Sequence, residues 1–276
     1  RFGLRLQNYG NSAIISRGRR YAVKKICIIT GGSSGIGKSA AVFMSKNGYS
    51  VYEFSRRESN IPDIAHISVD VTDTSAVKNA VTEVFSAEER IDILINCAGF
   101  GISGAAEFTD ILSAQKQFDV NFFGTVRVCG EIIPIMRKQG FGKIINVGSV
   151  AGVIPIPFQS FYSASKAALL SYTEALATEL RPFGVSAVCV LPGDIKTGFT
   201  SARKKENAGD DIYSGRISRS VSVMEKDEEK GMSADVAGRY IAKIASDKSK
   251  KPVRTIGMKY KFFIFLSKIL PTAAVD

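Results

Sequence analysis

Tyr162 and Lys166 lie four residues apart in YSASK, a segment of small residues that favours a helix. In a helix, the two side chains lie on one face, one turn apart. A phenol titrates near about pH 10 in water, but a neighbouring ammonium favours its ionised form. The pair can therefore exchange a proton with a substrate if it is buried, whereas a solvent-exposed pair would be ordinary helix surface.

A glycine-rich turn, TGGSSGIG at 30–37, follows the apolar segment KICIIT and precedes a helical pattern. Gly31 permits a tight turn, Gly35 lets backbone amides approach a pyrophosphate, and Gly37 allows close packing of the helix on the strand. The helix N-terminus favours the phosphate charge. The strand–turn–helix context of these glycines predicts a dinucleotide, and we disfavour ATP.

The second predicted strand ends in EFSRR, which places Ser55, Arg56 and Arg57 at the position that discriminates between dinucleotides. An acidic residue there binds the ribose hydroxyls of NAD, whereas an arginine accommodates the 2′-phosphate of NADP. We therefore predict NADP, with a basic solvated turn as the alternative. Glu53 precedes these residues, and we expect it to point to the other side of the sheet.

Short apolar strands alternate with helical patterns from residue 24 onward. This order indicates an α/β fold, a Rossmann-like doubly wound parallel sheet in a single domain, with ligands at the carboxyl ends of the strands. The predicted strands cover 25–30, 50–55, 65–70, 91–97, 142–149 and 184–193. The predicted helices cover 38–48, 74–89, 113–138 and 161–181.

The chain is predicted to have three parts. Residues 1–23 form a basic leader or extension, and 24–258 form the catalytic domain. Residues 259–276 form an apolar and basic tail helix. The stretch 198–232 is rich in Lys, Glu, Asp, Ser and Gly, and we expect it to be the least structured internal part. We interpret it as a mobile lid over the ligand cleft.

Charge and composition exclude several classes of protein. The net charge is +11, but seven of the 37 basic side chains lie within residues 1–25, which contain no acidic residue. We therefore predict no nucleic-acid partner for the folded domain. The chain has four cysteines without a CxxC pair and one histidine, His66, so no metal site is predicted. Buried free thiols suggest a reducing compartment, hence a cytoplasmic location, with organellar targeting by 1–22 as the alternative.

Six motifs in order resemble the short-chain dehydrogenase/reductase family. They are TGGSSGIG, NCAG at 96–99, Asn121 in DVNFFG, Ser149 in NVGS, YSASK, and PGDIKT at 192–197. The resemblance extends from about residue 24 to 260. Cys97 departs from the asparagine that is usual in the second motif, and the extension that precedes the domain is unusually long for this family.

The resemblance implies a catalytic quartet of Asn121, Ser149, Tyr162 and Lys166. Tyr162 would be the acid in reduction and the base in oxidation, with its pKa lowered by Lys166 and the nicotinamide. Ser149 would hold the substrate oxygen, and Asn121 a water in a proton relay from Lys166, which also binds the ribose. The implied cofactor-binding residues, including this pair, are Gly31, Ser33, Ser34, Gly35, Ile36, Gly37, Ser55, Arg56, Arg57, Asp70, Val71, Asn96, Ala98, Gly99, Tyr162, Lys166, Pro192, Gly193, Ile195 and Thr197.

The substrate is predicted to be a small-molecule carbonyl or alcohol on a hydrophobic body, such as a steroid, retinoid or lipid. VAGVIPIPF at 150–158 is uncharged, and Phe100 and Ile102 follow the fourth strand on the same rim. One alternative is a 3-oxoacyl-carrier-protein reductase, whose acidic partner would dock on Arg203, Lys204, Lys205 and the tail lysines. Another is a non-catalytic NADP-sensing protein, although such proteins typically lose the Tyr–Lys pair.

Two further partners are predicted. The family resemblance implies a homodimer or homotetramer through helices 113–138 and 161–181. The tail at 259–270 mixes aromatic residues with lysines and either packs on the protein or lies on a membrane surface.

Overall fold

The computed structural model describes residues 24–270 of the chain. Its core is a parallel sheet in the strand order β11-β7-β6-β4-β1-β2-β3. The seven strands are β1 (Ile26–Thr30), β2 (Ser50–Ser55), β3 (Ile64–Ser68), β4 (Ile93–Asn96), β6 (Gly142–Val147), β7 (Val185–Leu191) and β11 (Val253–Thr255). Every residue of β1 and β4 is buried, because helices cover both faces of the sheet.

The longer helices pack on the two faces and form one hydrophobic cluster on each. Val77, Val128 and Leu176, from three different helices, pack on one face, and Ala41 and Ile241 pack on the other. The helices are α1 (Gly35–Lys46), α2 (Thr74–Glu88), α3 (Ile111–Phe118), α4 (Gly124–Gln139), α5 (Ser160–Glu179), α6 (Phe199–Ala202), α7 (Arg216–Glu229), α8 (Ala234–Ser246) and α9 (Met258–Ile269). The predicted doubly wound Rossmann-like fold is confirmed.

The predicted helix at 113–138 is interrupted. A π-helical turn, Asp119–Phe123, joins α3 to α4. Such turns aim a side chain where a regular helix would not, and they are frequent at functional sites. Here the turn contains Asn121, which is fully buried.

The 198–232 stretch contains more regular structure than we expected. It contains α6 and α7, and two short strand pairs connect it to the domain: β5 (Ile102–Ser103) with β9 (Lys204–Lys205), and β8 (Ile195–Lys196) with β10 (Met232–Ser233). The composition hid α7 because only Ile217 and Val221 of its side chains are buried. Asp210 accepts hydrogen bonds from the backbone amides of Ile217 and Ser218 and fixes the first turn.

Within residues 24–270, no helix has both the length and the hydropathy needed to cross a bilayer.

Candidate active site

The glycine-rich turn lies at the carboxyl end of β1, and steric contact explains its glycines. Gly31 has φ +68°, and a Cβ there would lie 2.8 Å from the Cα of Ala98. A Cβ at Gly37 would lie 2.3 Å from the carbonyl oxygen of Gly31. Gly35, with φ +55°, opens α1 and faces the side chain of Thr197. The turn thus places the N-terminus of α1 where a diphosphate can bind.

The NCAG segment closes over the same turn. The Thr30 hydroxyl accepts hydrogen bonds from the backbone amides of Cys97 at 3.1 Å and Ala98 at 3.3 Å. In the adjacent strand, Asn146 accepts a hydrogen bond from the Asn96 side chain at 2.9 Å. Strands β1, β4 and β6 are therefore tied together at the edge where ligands of this fold bind.

Asn121 fixes the chain that follows NCAG. Its Oδ1 accepts from the Phe100 amide at 2.9 Å, and its Nδ2 donates to the Phe100 carbonyl at 3.0 Å and to Ser165 at 3.2 Å. A Cβ at Gly99 would lie 3.1 Å from Asn121 Oδ1 and 3.8 Å from Lys166 Nζ. Glycine is therefore needed where these two side chains converge.

We expect Asn121→Ala to lower the free energy of unfolding by about 2–4 kcal/mol, because it removes a fully buried side chain and its three hydrogen bonds to Phe100 and Ser165. Denaturant unfolding measures the change. Gln115→Ala is the control, since Gln115 is exposed on the neighbouring α3 and its loss should change stability by less than about 0.5 kcal/mol. Equal effects of the two substitutions would contradict the positioning role of Asn121.

Tyr162 and Lys166 lie on one face of α5, next to the ends of β4 and β6. Lys166 is 6% exposed, and its Nζ donates to the Val147 carbonyl at 2.8 Å. The same Nζ lies 5.9 Å from the centre of the half-buried Tyr162 ring. Ser149 follows β6, and its hydroxyl accepts from the Ala151 amide at 3.1 Å. The four residues of the predicted quartet thus occupy one region of the molecule.

Burial dominates the ionisation of the Tyr–Lys pair. It raises the pKa of Tyr162 to about 12, although a hydrogen bond with Ser149 and the charge of Arg203 act in the opposite direction. Burial also lowers the pKa of Lys166. The family resemblance implies a lowered pKa for Tyr162, but in the protein alone the loss of hydration outweighs the nearby positive charge. The phenol is therefore protonated at neutral pH, as a proton donor must be.

The residues predicted to bind the adenosine end lie apart from the quartet, at the ends of β2 and β3. Arg56 is exposed, and its guanidinium lies 3.8 Å from the Asp70 carboxylate. Burial alone would raise the pKa of Asp70, but hydrogen bonds from Thr72 and the charge of Arg56 lower it. Ser55 donates to the Arg57 carbonyl, and Val71 packs below Gly124 of α4. A cavity of about 690 Å³ borders Arg56 and Asp70.

Glu53 points into the protein interior on one face of β2, away from the solvent-exposed Arg56. Its side chain lies directly beneath the glycine-rich turn, where a Cβ at Gly32 would be 2.4 Å from its Cγ. It is fully buried, and its carboxylate lies 2.7 Å from both His66 Nδ1 and the Ser59 hydroxyl. Register explains the orientation, because Glu53 and the inward-facing Val51 share one face of β2. A carboxylate held in this way does not face a ribose at the strand end.

The PGDIKT segment crosses next to the quartet at the end of β7. The Pro192 carbonyl accepts from the Val150 amide at 2.9 Å, directly after Ser149. Ile195 is buried, and the Thr197 hydroxyl accepts from the Phe199 amide at 3.1 Å. Gly193 packs against the Tyr260 ring of α9. Thr197 also faces Gly35, so this segment and the glycine-rich turn border one cleft.

The 198–232 segment, predicted as a lid, also places Phe199 and Arg203 next to Tyr162, which was not predicted from the sequence. The ring centres of Phe199 and Tyr162 lie 5.8 Å apart, and the Arg203 guanidinium lies 5.6 Å from the centre of the Phe199 ring. Arg203 is 5% exposed and donates to Glu228 at 2.5 Å, while its Nε and Nη1 lack a hydrogen-bond partner within residues 24–270. Nothing in the local sequence distinguishes this arginine from the lysines that follow it.

The predicted landing patch for an acidic carrier protein is contradicted at its centre. Arg203 is buried rather than exposed, because Glu228 and Phe199 enclose it. The two neighbouring lysines are exposed but paired: Lys204 lies 2.7 Å from Glu206, and Lys205 lies 2.6 Å from Glu225. The described segment therefore presents alternating charges instead of a basic patch.

Comparison with protein families matches residues 25–208 to the model described as short chain dehydrogenase. The search of solved structures agrees with this match. A short-chain dehydrogenase from Streptomyces avermitilis superposes with a TM-score of 0.79 at 27% identity, covering 90% of this chain and 94% of that one. The structure of ElxO with NADP bound superposes with a TM-score of 0.72 at 27% identity, covering 87% and 99%.

Among curated proteins, a 3-ketodihydrosphingosine reductase from Bacteroides thetaiotaomicron is 44% identical over 234 residues. The alignment covers 84% of this chain and 87% of that protein. A probable short-chain type dehydrogenase/reductase from Helicobacter pylori, VdlC, is 32% identical over 257 residues, covering 91% and 95%.

Proposed function

Because the chain belongs to the short-chain dehydrogenase family and is thus an oxidoreductase that uses a nicotinamide cofactor, we propose that it is an NADP(H)-dependent reductase of a lipid-like ketone. The observation that carries this proposal is the convergence of Tyr162, Lys166, Asn121 and Gly99 beside the glycine-rich turn. A proton donor and a dinucleotide cradle meet there, as carbonyl reduction requires.

The described residues fit the cofactor. The glycines at 31, 35 and 37 leave space that a Cβ would fill, and Arg56 offers an exposed guanidinium to a 2′-phosphate. We propose that the residues assigned from the family motifs hold the dinucleotide between the glycine-rich turn, Asn96–Gly99 and Pro192–Thr197. When bound, the nicotinamide supplies the hydride, and the protein supplies alignment and the proton.

We assign the proton donor to Tyr162. Ser149 positions the substrate oxygen beside the phenol, and Tyr162 transfers its proton to that oxygen as the carbonyl carbon becomes a secondary alcohol. Lys166 is buried, and its Nζ donates to the Val147 carbonyl. In this proposal its ammonium gives a proton to the phenolate that Tyr162 becomes after reduction. Asn121 positions the Phe100 backbone and, in this proposal, the water that reprotonates Lys166 from solvent.

The raised pKa of Tyr162, about 12, predicts how activity depends on pH. A group with a raised pKa keeps its proton until the pH approaches that value, so ketone reduction should not lose its acid between about pH 6 and about pH 9. Alcohol oxidation needs the phenolate, so its rate should rise by about ten-fold per pH unit over this range. Rates measured in both directions check this, and a fall in reduction centred near neutral pH would contradict it.

Two observations support a lipid-like ketone as the substrate: the name of one relative and the apolar side chains that border the cleft. One relative, at 44% identity, is named for a long-chain ketone, 3-ketodihydrosphingosine. In this chain, Ile102 is buried after the fourth strand of the sheet. The segment after Ser149 contains four half-buried, uncharged side chains, Val153, Ile154, Ile156 and Phe158. Such a wall suits an alkyl chain. We propose that 198–232 acts as the lid over this chain, with Phe199 against Tyr162.

A substrate panel tests the proposal. Purified protein is mixed with NADPH and, in separate reactions, 3-ketodihydrosphingosine, a steroid ketone, a retinal and a 3-oxoacyl-carrier-protein, and NADPH oxidation is followed. We expect the highest kcat/KM with the long-chain ketone. Preference for the carrier-protein thioester would support the alternative reductase, and absence of turnover with every ketone would support the sensor instead.

We propose a homo-oligomer through α3, α4 and α5. Ile111, Leu112 and Phe123 are exposed on this side, at 63%, 70% and 49%. Large apolar side chains grouped on one surface favour association.

A further inference from the structure

The last described helix, α9, directs its apolar side chains away from the protein. Met258, Phe262, Phe265 and Ile269 are 78%, 57%, 58% and 61% exposed. Their spacing of i, i+4, i+7 and i+11 places them in one stripe along the helix. None of the α9 side chains is buried by the described part of the chain. We call these four residues the outer stripe.

Lysines flank the outer stripe on both sides. At about 100° per residue, Lys259 falls on one side of it, and Lys261 and Lys268 fall on the other. Residues 258–270 contain no aspartate or glutamate. An apolar stripe bordered by cations, without acidic residues, is the arrangement of a helix that lies in the plane of a lipid surface.

The opposite face of α9 fixes this orientation. The Tyr260 hydroxyl donates to Asp194 at 2.5 Å, and its ring packs on Gly193 of the PGDIKT segment. Ile264 and Ser267, on the same side of the helix, are half-buried. The helix therefore cannot turn its outer stripe inward without breaking the Tyr260 contacts. Helix α9 therefore begins next to the PGDIKT segment, which follows β7 and borders the candidate active site.

We propose that α9 docks the protein on an anionic lipid surface, with the outer stripe in the acyl boundary and the lysines at the phosphates. A helix of 12 residues extends for only about 18 Å, so it lies on the bilayer and does not span it. A symmetric contact between two copies of this face is disfavoured, because it would bring six lysines together with no carboxylate on either helix. The docking proposal depends only on the observations made for α9. Delivery of a long-chain ketone from the bilayer rests in addition on the proposed function.

Vesicle sedimentation of the full chain tests the docking. We expect binding to phosphatidylcholine vesicles that contain about 30 mol% phosphatidylglycerol, and much weaker binding without the anionic lipid or at high salt. The Phe262→Ser/Phe265→Ser variant should bind at least about ten-fold more weakly. Lys259→Glu/Lys261→Glu should remove the preference for anionic lipid. Phe85→Ser, at a 38% exposed phenylalanine of α2, is the matched control and should bind like the wild type.

The outcomes separate docking from catalysis. Melting curves establish that each variant is folded, and reduction of a short water-soluble ketone should be unchanged in the Phe262→Ser/Phe265→Ser variant. If the wild type binds no anionic vesicle at low salt, or the variant binds equally well, the docking proposal is overturned. It is also overturned if sedimentation equilibrium shows an oligomer that only this variant dissociates, since the outer stripe would then face a second copy. A chain that docks but reduces no ketone would overturn the proposed function alone.

Discussion

Replacing Tyr162 by phenylalanine is expected to lower kcat for ketone reduction by about 10²–10⁴-fold while NADPH affinity is retained. The substitution removes the hydroxyl that donates the proton and keeps the ring that packs against Phe199 at 5.8 Å. Ser149, Lys166 and the glycine-rich turn are unchanged. Single-turnover kinetics with saturating NADPH measure the loss, and fluorescence titration measures cofactor binding separately.

Tyr172→Phe is the control for this substitution. Tyr172 lies on the same helix but packs edge-on against Phe122, outside the candidate site. We expect its kcat to match that of the wild type. If Tyr162→Phe retained most of the wild-type kcat, the proton would have to come from another group, and the assignment of Tyr162 would be wrong.

Replacing Arg56 by alanine is expected to raise the Kd of NADPH by about ten- to a hundred-fold and to leave that of NADH nearly unchanged. The two cofactors differ in the 2′-phosphate, and the exposed guanidinium of Arg56 can bind it with charge-assisted hydrogen bonds. The 3.8 Å contact with Asp70 offers little competition, because both side chains are solvated. Titration calorimetry with both dinucleotides measures the two affinities.

Arg181→Ala is the control for charge alone. Arg181 is exposed and lies between the end of α5 and the start of β7. Its substitution therefore removes the same charge at the opposite edge of the sheet. NADPH affinity should not change. A wild-type protein that binds NADH more tightly than NADPH, or an Arg56→Ala variant that loses both equally, would contradict the NADP assignment.

The parts of the fold and site that could be predicted from the sequence are those encoded within a few residues. The buried strands β1 and β4 appear as apolar runs, and Gly31 and Gly37 are required by contacts within one strand–turn–helix unit. Tyr162 and Lys166 are paired by helical spacing alone. The parallel order of the strands then places these local units at one edge of the sheet.

The features that sequence analysis missed depend on contacts between distant segments. The burial of Arg203 requires Glu228, 25 positions later, which returns through α7. The buried contact of Glu53 with His66 forms across the β2–β3 pair. The π-helical turn that aims Asn121 at Phe100 cannot be distinguished from regular helix by hydrophobic spacing. The raised pKa of Tyr162 results from desolvation, which depends on the complete fold.

Isotope transfer tests the central claim most directly. The protein is incubated with 3-ketodihydrosphingosine and NADPH that carries deuterium at the transferable C4 position, and the product is analysed by mass spectrometry. Hydride transfer to a ketone predicts a secondary alcohol with a single deuterium on its carbinol carbon, and no such product from the Tyr162→Phe variant. An alcohol without deuterium, or unchanged ketone in the presence of folded, NADPH-bound protein, would contradict the account.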